Sequence, residues 1–175
     1  MERSGAFSED AVWAVLEQML DVLRVLHTRT TPIVHRDVKP RNIIRTNATS
    51  FALVDFGGVS SLRGSAGSTI VGTFGFMAPE QLYGAQAPAT DIYALGATAI
   101  ALATEAQPEE LPRRGLGIDV DSAVPRLSAE LRKTLCEMLE PDPAKRAGDA
   151  DDLLARIAKR RRGGGGLLSL FKRAR

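Results

Sequence analysis

A single cysteine, Cys136, stands among 175 residues, so the chain cannot form an internal disulfide. With two histidines in total, no CxxC pair or Cys/His group has the spacing of a structural metal site. Both facts lead us to expect a reducing, cytoplasmic setting. Charge of one sign is also scarce in excess: 23 Lys and Arg face 21 Asp and Glu. A net +2 gives no bulk-charge argument for nucleic acid as a partner. The longest uncharged apolar stretch, Ile92 to Thr104, runs 13 residues between Asp91 and Glu105. Spanning a bilayer takes roughly 20, so this stretch reads as a buried core helix and no transmembrane segment is expected. The first residues lack the basic-then-apolar order of an export signal, and no internal repeat is visible.

What is present is the balance of a soluble globular domain, 44% hydrophobic and 25% charged. Ser8, followed by Glu9 and Asp10, predicts a helix start. The apolar residues Val12, Leu16, Met19, Leu20, Leu23 and Leu26 then give an amphipathic helix to about Thr28. Ile43-Ile44 and Phe51 to Val54, separated by Thr46 to Ser50, predict a short hairpin. Helices are expected over 91–104 and 128–140, the latter with Leu131, Leu135, Met138 and Leu139 on one face. Cys136 is expected to be a small core residue of that helix rather than a nucleophile. A last helix, starting near Asp149, is expected to end at Lys159 to Arg162, with Gly163 to Gly166 as a flexible linker. Residues 163–175 would then form a Gly linker and basic tail, and Leu167 to Arg175 together with Lys159 to Arg162 are expected to make weak contact with an acidic membrane surface or partner.

Two carboxylates carry the chemical signal. Asp37 lies in His35-Arg36-Asp37-Val38-Lys39-Pro40-Arg41-Asn42, and Asp55 opens Asp55-Phe56-Gly57 after an apolar strand. Phosphoryl transfer needs a group to orient the attacking hydroxyl, oxygen ligands for magnesium and a cation on the moving phosphate. These two segments supply all three, and they resemble the catalytic loop and metal-binding motif of protein kinases. The resemblance continues through Gly72 to Glu80, ending Ala-Pro-Glu, through Asp91 to Gly96, and through Pro141 to Arg146. It implies a mainly α fold over residues 1–162, the C-terminal lobe of a kinase, with a small β-hairpin carrying the catalytic and metal-binding loops.

The resemblance further implies roles. Asp37 would be the catalytic base and Lys39 would contact the γ-phosphate. Asn42 and Asp55 would hold Mg2+ on ATP, Ile44 would support the adenine, and Phe56 would pack on His35. Asp91, Glu80 and Arg146 are expected to be structural, with Arg146 pairing Glu80. Lys39 and Thr73 together resemble serine/threonine kinases, so protein Ser and Thr hydroxyls are the implied acceptors. Arg36 is similar to the arginine that binds a phosphate on the activation loop, for which Ser65, Ser68 and Thr69 are candidates. His27 has no partner motif and receives no role. Asn47-Ala48-Thr49 is read as a hairpin turn rather than a glycosylation site.

No GxGxxGxV and no VAIK-like lysine occurs in these 175 residues. The expected function is therefore serine/threonine protein kinase activity, with the chain inactive on its own. The alternative is a non-catalytic, kinase-like protein-interaction module.

Overall fold

The computed structural model of the chain describes residues 5–56, 60–61 and 72–171. Among them are five α-helices: α1 (Glu9–His27), α2 (Pro88–Thr104), α3 (Val120–Ala123), α4 (Ala129–Met138) and α5 (Ala150–Phe171). Six short strands form three antiparallel pairs. β1 (Ile33–Val34) pairs with β4 (Ser60–Ser61), β2 (Ile43–Arg45) with β3 (Phe51–Leu53), and β5 (Arg113–Arg114) with β6 (Gly117–Ile118). The fold is mainly helical with minor β-hairpins, like the C-terminal lobe that the sequence implies.

Helix α2 is the centre. Every residue from Ala89 to Ala101 is buried, so this helix has no solvent face. Its near-continuous apolar composition is the cause, and α1, α4, β1 and the turn Pro40–Asn42 pack around it. Gly96 permits the closest approach. A Cβ there would lie 3.0 Å from Leu139 Cγ and 3.1 Å from Met138 Cβ, where the end of α4 crosses. Helix α1 presents Val12, Val15, Leu16, Met19, Leu20 and Leu23 to the core on an i, i+3/i+4 stripe. Ser8 caps it, its hydroxyl accepting from Ala11 N at 3.3 Å. Ser128 caps α4 by accepting from Leu131 N at 3.2 Å, and its own backbone N donates to Glu9 at 2.9 Å. One acid in the first turn of α1 thereby fixes where α4 begins.

The β2–β3 hairpin lies against α1. Gln18 donates from Nε2 to Thr49 O at 2.8 Å and accepts from Phe51 N at 2.9 Å. The Arg45 guanidinium lies 5.1 Å from the Phe7 ring centre and 5.4 Å from that of Phe51. Asn47 Oδ1 accepts from Thr49 N and Ser50 N, both at 2.9 Å, so Asn47 closes the hairpin turn.

Two expectations are corrected. Cys136 is exposed rather than in the core. Leu131, Thr134, Leu135 and Met138 form the inward face of α4, and position 136 is rotated off that stripe. Partial desolvation of the sulfur and the nearby Asp121, Asp119 and Glu137 push its thiol up, away from nucleophilic character. Helix α5 does not stop at Arg162 but continues through Gly163–Gly166 to Phe171. Glycine disfavours helix by about 1 kcal/mol relative to alanine without forbidding it, so a run of four need not end one. The basic residues before it are also less free than a solvated tail. Arg160 bonds Thr134 Oγ1 at 2.8 Å and pairs with Glu137, while Arg161 pairs with Glu17 at 3.0 Å and lies over Trp13. Residues 107–125 contain the β5–β6 hairpin and α3.

One ion pair ties the segment 72–84 to the body. Arg146 NH1 and NH2 meet Glu80 Oε1 and Oε2 at 2.6 and 3.0 Å, and the same guanidinium donates to Ala89 O, Pro141 O and Glu140 O. Burial alone would raise the Glu80 carboxyl, but the hydrogen bonds and charge of Arg146 outweigh it and hold the group below the ordinary value. A depressed folded-state pKa contributes stability above the unfolded value, about 4.3, and loses it as pH falls through the folded value. Arg146→Met strands the carboxylate. Urea unfolding at pH 7 should show a loss of about 3–5 kcal/mol, and the variant should lose less further stability than the parent when acidified from pH 5 to pH 3.

Candidate active site

The site is built outward from Asp91 in the first turn of α2. This carboxylate is 0% exposed and accepts three hydrogen bonds. His35 N reaches Oδ2 at 2.8 Å, Arg36 N reaches Oδ1 at 2.7 Å, and His27 Nε2 reaches Oδ2 at 2.9 Å. Since a carboxylate only accepts, Nε2 of His27 carries a proton here. The clamp fixes Arg36 at φ 68°, a left-handed conformation that disfavours a non-glycine residue by roughly 1–2 kcal/mol. Two residues on, Val38 is buried and its carbonyl accepts from Thr98 Oγ1 at 3.1 Å. Helix α2 thus grips the loop on both sides of Asp37.

Asp37 is held by three side chains. Lys39 Nζ lies 2.8 Å from Oδ2, Thr73 Oγ1 donates to Oδ1 at 2.8 Å, and Asn42 Nδ2 donates to Oδ2 at 3.2 Å and to Asp37 O at 2.8 Å. Lys39 also donates to Thr73 Oγ1 at 2.7 Å, closing a ring of contacts. Burial pulls the Asp37 carboxyl upward, yet the hydrogen bonds from Lys39, Thr73 and Asn42 and the Lys39 charge overcome it and keep the group below its ordinary value. Thr73 gets there because Gly72 adopts φ 139°, where a Cβ would lie 2.8 Å from Met77 Cγ and 3.2 Å from Arg36 O. Gln81 steadies the approach, accepting from Ala78 N at 2.9 Å and donating to Arg36 O at 3.4 Å.

Asn42 and Asp55 leave the same end of the β2–β3 hairpin. Ile43 pairs with Leu53, and Val54 N donates to Asn42 O at 2.8 Å, so Asp55 emerges beside Asn42. Asp55 is exposed with φ 62°. A carboxylate and an amide oxygen are hard donors suited to Mg2+, which completes its octahedron with water and phosphate oxygens. Among the described residues no three His, Cys, Asp or Glu side chains gather as a metal cage. A two-ligand Mg2+ site that relies on phosphates would not form one, so the residues present fit the ion. Phe56 meets His35 edge-on, ring centres 5.0 Å apart. Ile44, in the middle of β2, is 49% exposed and presents an apolar surface on the same hairpin.

Residues 1–156 match the model of the protein kinase domain. This chain belongs to the protein kinase family. It is 34% identical over 155 residues to serine/threonine-protein kinase D of Synechocystis sp., covering 82% of this chain and 30% of that one. It is similar at 34% identity over 169 residues to serine/threonine-protein kinase F of the same organism, and at 39% over 120 residues to serine/threonine-protein kinase PknA of Nostoc sp.. The chain spans 32% of kinase F and 21% of PknA, a third or less of each relative's length.

Within this kinase lobe the residues singled out by sequence divide clearly. Asp37, Lys39 and Asn42 converge with Thr73, while Ile44 and Asp55 stand on the adjoining hairpin. Arg146 pairs with Glu80 as the motif implies. Ser65, Ser68 and Thr69 lie outside the described residues. His27 is the residue that sequence reasoning passed over: it lies 64 positions from Asp91, and no local pattern links them.

The three-way Asp91 acceptor yields a direct test. Asp91→Asn keeps one acceptor oxygen and adds a donor that faces His27 or a backbone N–H. A buried donor left unpaired disfavours the fold by about 1–3 kcal/mol. Thermal or urea unfolding should register a loss of that size, and amide exchange at His35 and Arg36 should accelerate more than exchange within α4.

Proposed function

We propose that this chain serves as the catalytic lobe of a serine/threonine protein kinase, moving the γ-phosphate of ATP to Ser or Thr hydroxyls of protein substrates. The observation that carries the proposal is Asp37, a carboxylate beside the Lys39 ammonium and held below its ordinary pKa by Lys39, Thr73 and Asn42. Asp37 would accept the proton of the acceptor hydroxyl as its oxygen bonds to the γ-phosphorus and the bond to the ADP oxygen breaks. Lys39 would balance charge on the transferring phosphoryl group, and Thr73 would hold both Lys39 and Asp37 in register. Asn42 and Asp55 would hold Mg2+, which when bound neutralises charge on the phosphates. Ile44 would form one face of the adenine site. A reducing cytoplasmic setting suits the single exposed thiol of Cys136. Weak contact with an acidic surface would fall to Lys159, Arg162 and the residues after them, because Arg160 and Arg161 are engaged within the fold.

Catalysis by positioning fails when half the ligands of the triphosphate are absent. The 175 residues alone should therefore transfer no label from ATP to a generic peptide. Supplying a glycine-rich loop and strand lysine, by fusion to the N-terminal lobe of a related kinase, should produce transfer. In that fusion Asp37→Asn and Asp55→Asn should each lower kcat by about a thousandfold or more while the melting temperature stays near that of the parent. Near-normal turnover in either variant would contradict the assignment. Transfer absent from every folded fusion would favour the interaction-module alternative.

A further inference from the structure

Beside Asp37 and Thr73 opens a cleft of about 440 Å3 whose walls include Lys39, Arg41, Thr73, Phe76, Glu105 and Gln107. The Lys39 ammonium is already matched by Asp37. Arg41 is not matched: it is exposed on the turn Pro40–Asn42 and makes no hydrogen bond or ion pair with any described residue. That turn is rigid, opened by a proline and closed by Asn42, whose amide is bonded to Asp37. The Arg41 backbone is therefore fixed relative to the catalytic carboxylate.

On the same cleft Glu105 ends α2 in a left-handed conformation, φ 60°. Glycine is the residue such an ending favours, and a carboxylate there also faces the negative end of the helix dipole. The side chain is exposed and has no partner among the described residues that would offset either penalty. Two opposite, unmatched charges thus line one cleft at the reaction centre. A segment carrying two acids would gain at Arg41 and be repelled at Glu105, and a doubly basic segment would meet the reverse. Only a segment of mixed charge is favoured at both.

We propose that this cleft seats the acceptor segment and selects one with mixed charge, an acidic residue against Arg41 and a basic residue against Glu105, next to the Ser or Thr at Asp37. The proposal rests on the kinase reading and names the substrate class for it. Exposed pairs are individually weak, so selectivity of a few-fold per charge is the expected scale.

The test is fluorescence anisotropy of the whole chain with five labelled peptides sharing one serine: neutral, doubly acidic, doubly basic, and acid plus base in each order. One mixed-charge peptide should bind about threefold to tenfold more tightly than the neutral one. Arg41→Glu should abolish the benefit of the acid only, and Glu105→Gln that of the base only. Glu105→Gly should lose the base preference while raising the melting temperature, which a purely structural glutamate would not do. Equal binding of all five, tightest binding of a one-sign peptide, or a preference surviving both substitutions would overturn the proposal. Transfer to the neutral peptide by the fused kinase, without any charge preference, sinks the cleft assignment and spares the kinase reading. Charge-selective binding without transfer in any fusion does the opposite.

Discussion

The buried Asp91 carboxylate is the constraint on which the rest of the site depends. A charge removed from water must be matched, and this one is matched by the backbone N–H groups of His35 and Arg36 and the ring of His27. Those bonds oblige the chain to pass through a left-handed residue at Arg36. The turn this produces sends Val38 into the core and leaves Asp37 partly exposed, in contact with Lys39, Thr73 and Asn42. Helix α2 is buried on every side, so its first turn is a fixed reference, and whatever Asp91 grips inherits that rigidity.

The second anchor works on the opposite wall. The Glu80–Arg146 pair fastens the segment that delivers Thr73, while Gln81 links that segment to the carbonyl of Arg36. Two elements far apart in sequence are thereby brought to one carboxylate, and the ring of Asp37, Lys39, Thr73 and Asn42 is their meeting point. The hairpin bearing Asn42, Ile44 and Asp55 has its own support from Gln18 and Arg45 on its far side. Each potential phosphate or metal contact is thus backed by an interaction that never touches a ligand.

Local chemistry made much of this legible in the sequence. Ser8 caps the helix it announces, α1 shows its stripe, and the Asn47 turn closes the expected hairpin, because each feature is decided by residues within a few positions. The Glu80–Arg146 pair was legible through motif resemblance alone. Contacts set by long-range packing were not. His27 and Gln18 look like ordinary polar residues of α1 until α2 and the hairpin fold against them. The β5–β6 strands are two residues each, too short for any alternation to register. A leucine-rich neighbourhood in sequence says little about which face of α4 the Cys136 side chain takes. For the glycines of α5, helix propensity sets a penalty and not an outcome.

Asp37 is kept ionised by its neighbours rather than by exposure to water. Carbon-13 NMR titration of its side-chain carboxyl in the folded chain measures this directly. The account predicts a midpoint below the ordinary aspartate value of about 3.9, moving upward in Lys39→Met, where the counter-charge is lost and the desolvation remains. A midpoint at or above the ordinary value, unmoved by Lys39→Met, would contradict it.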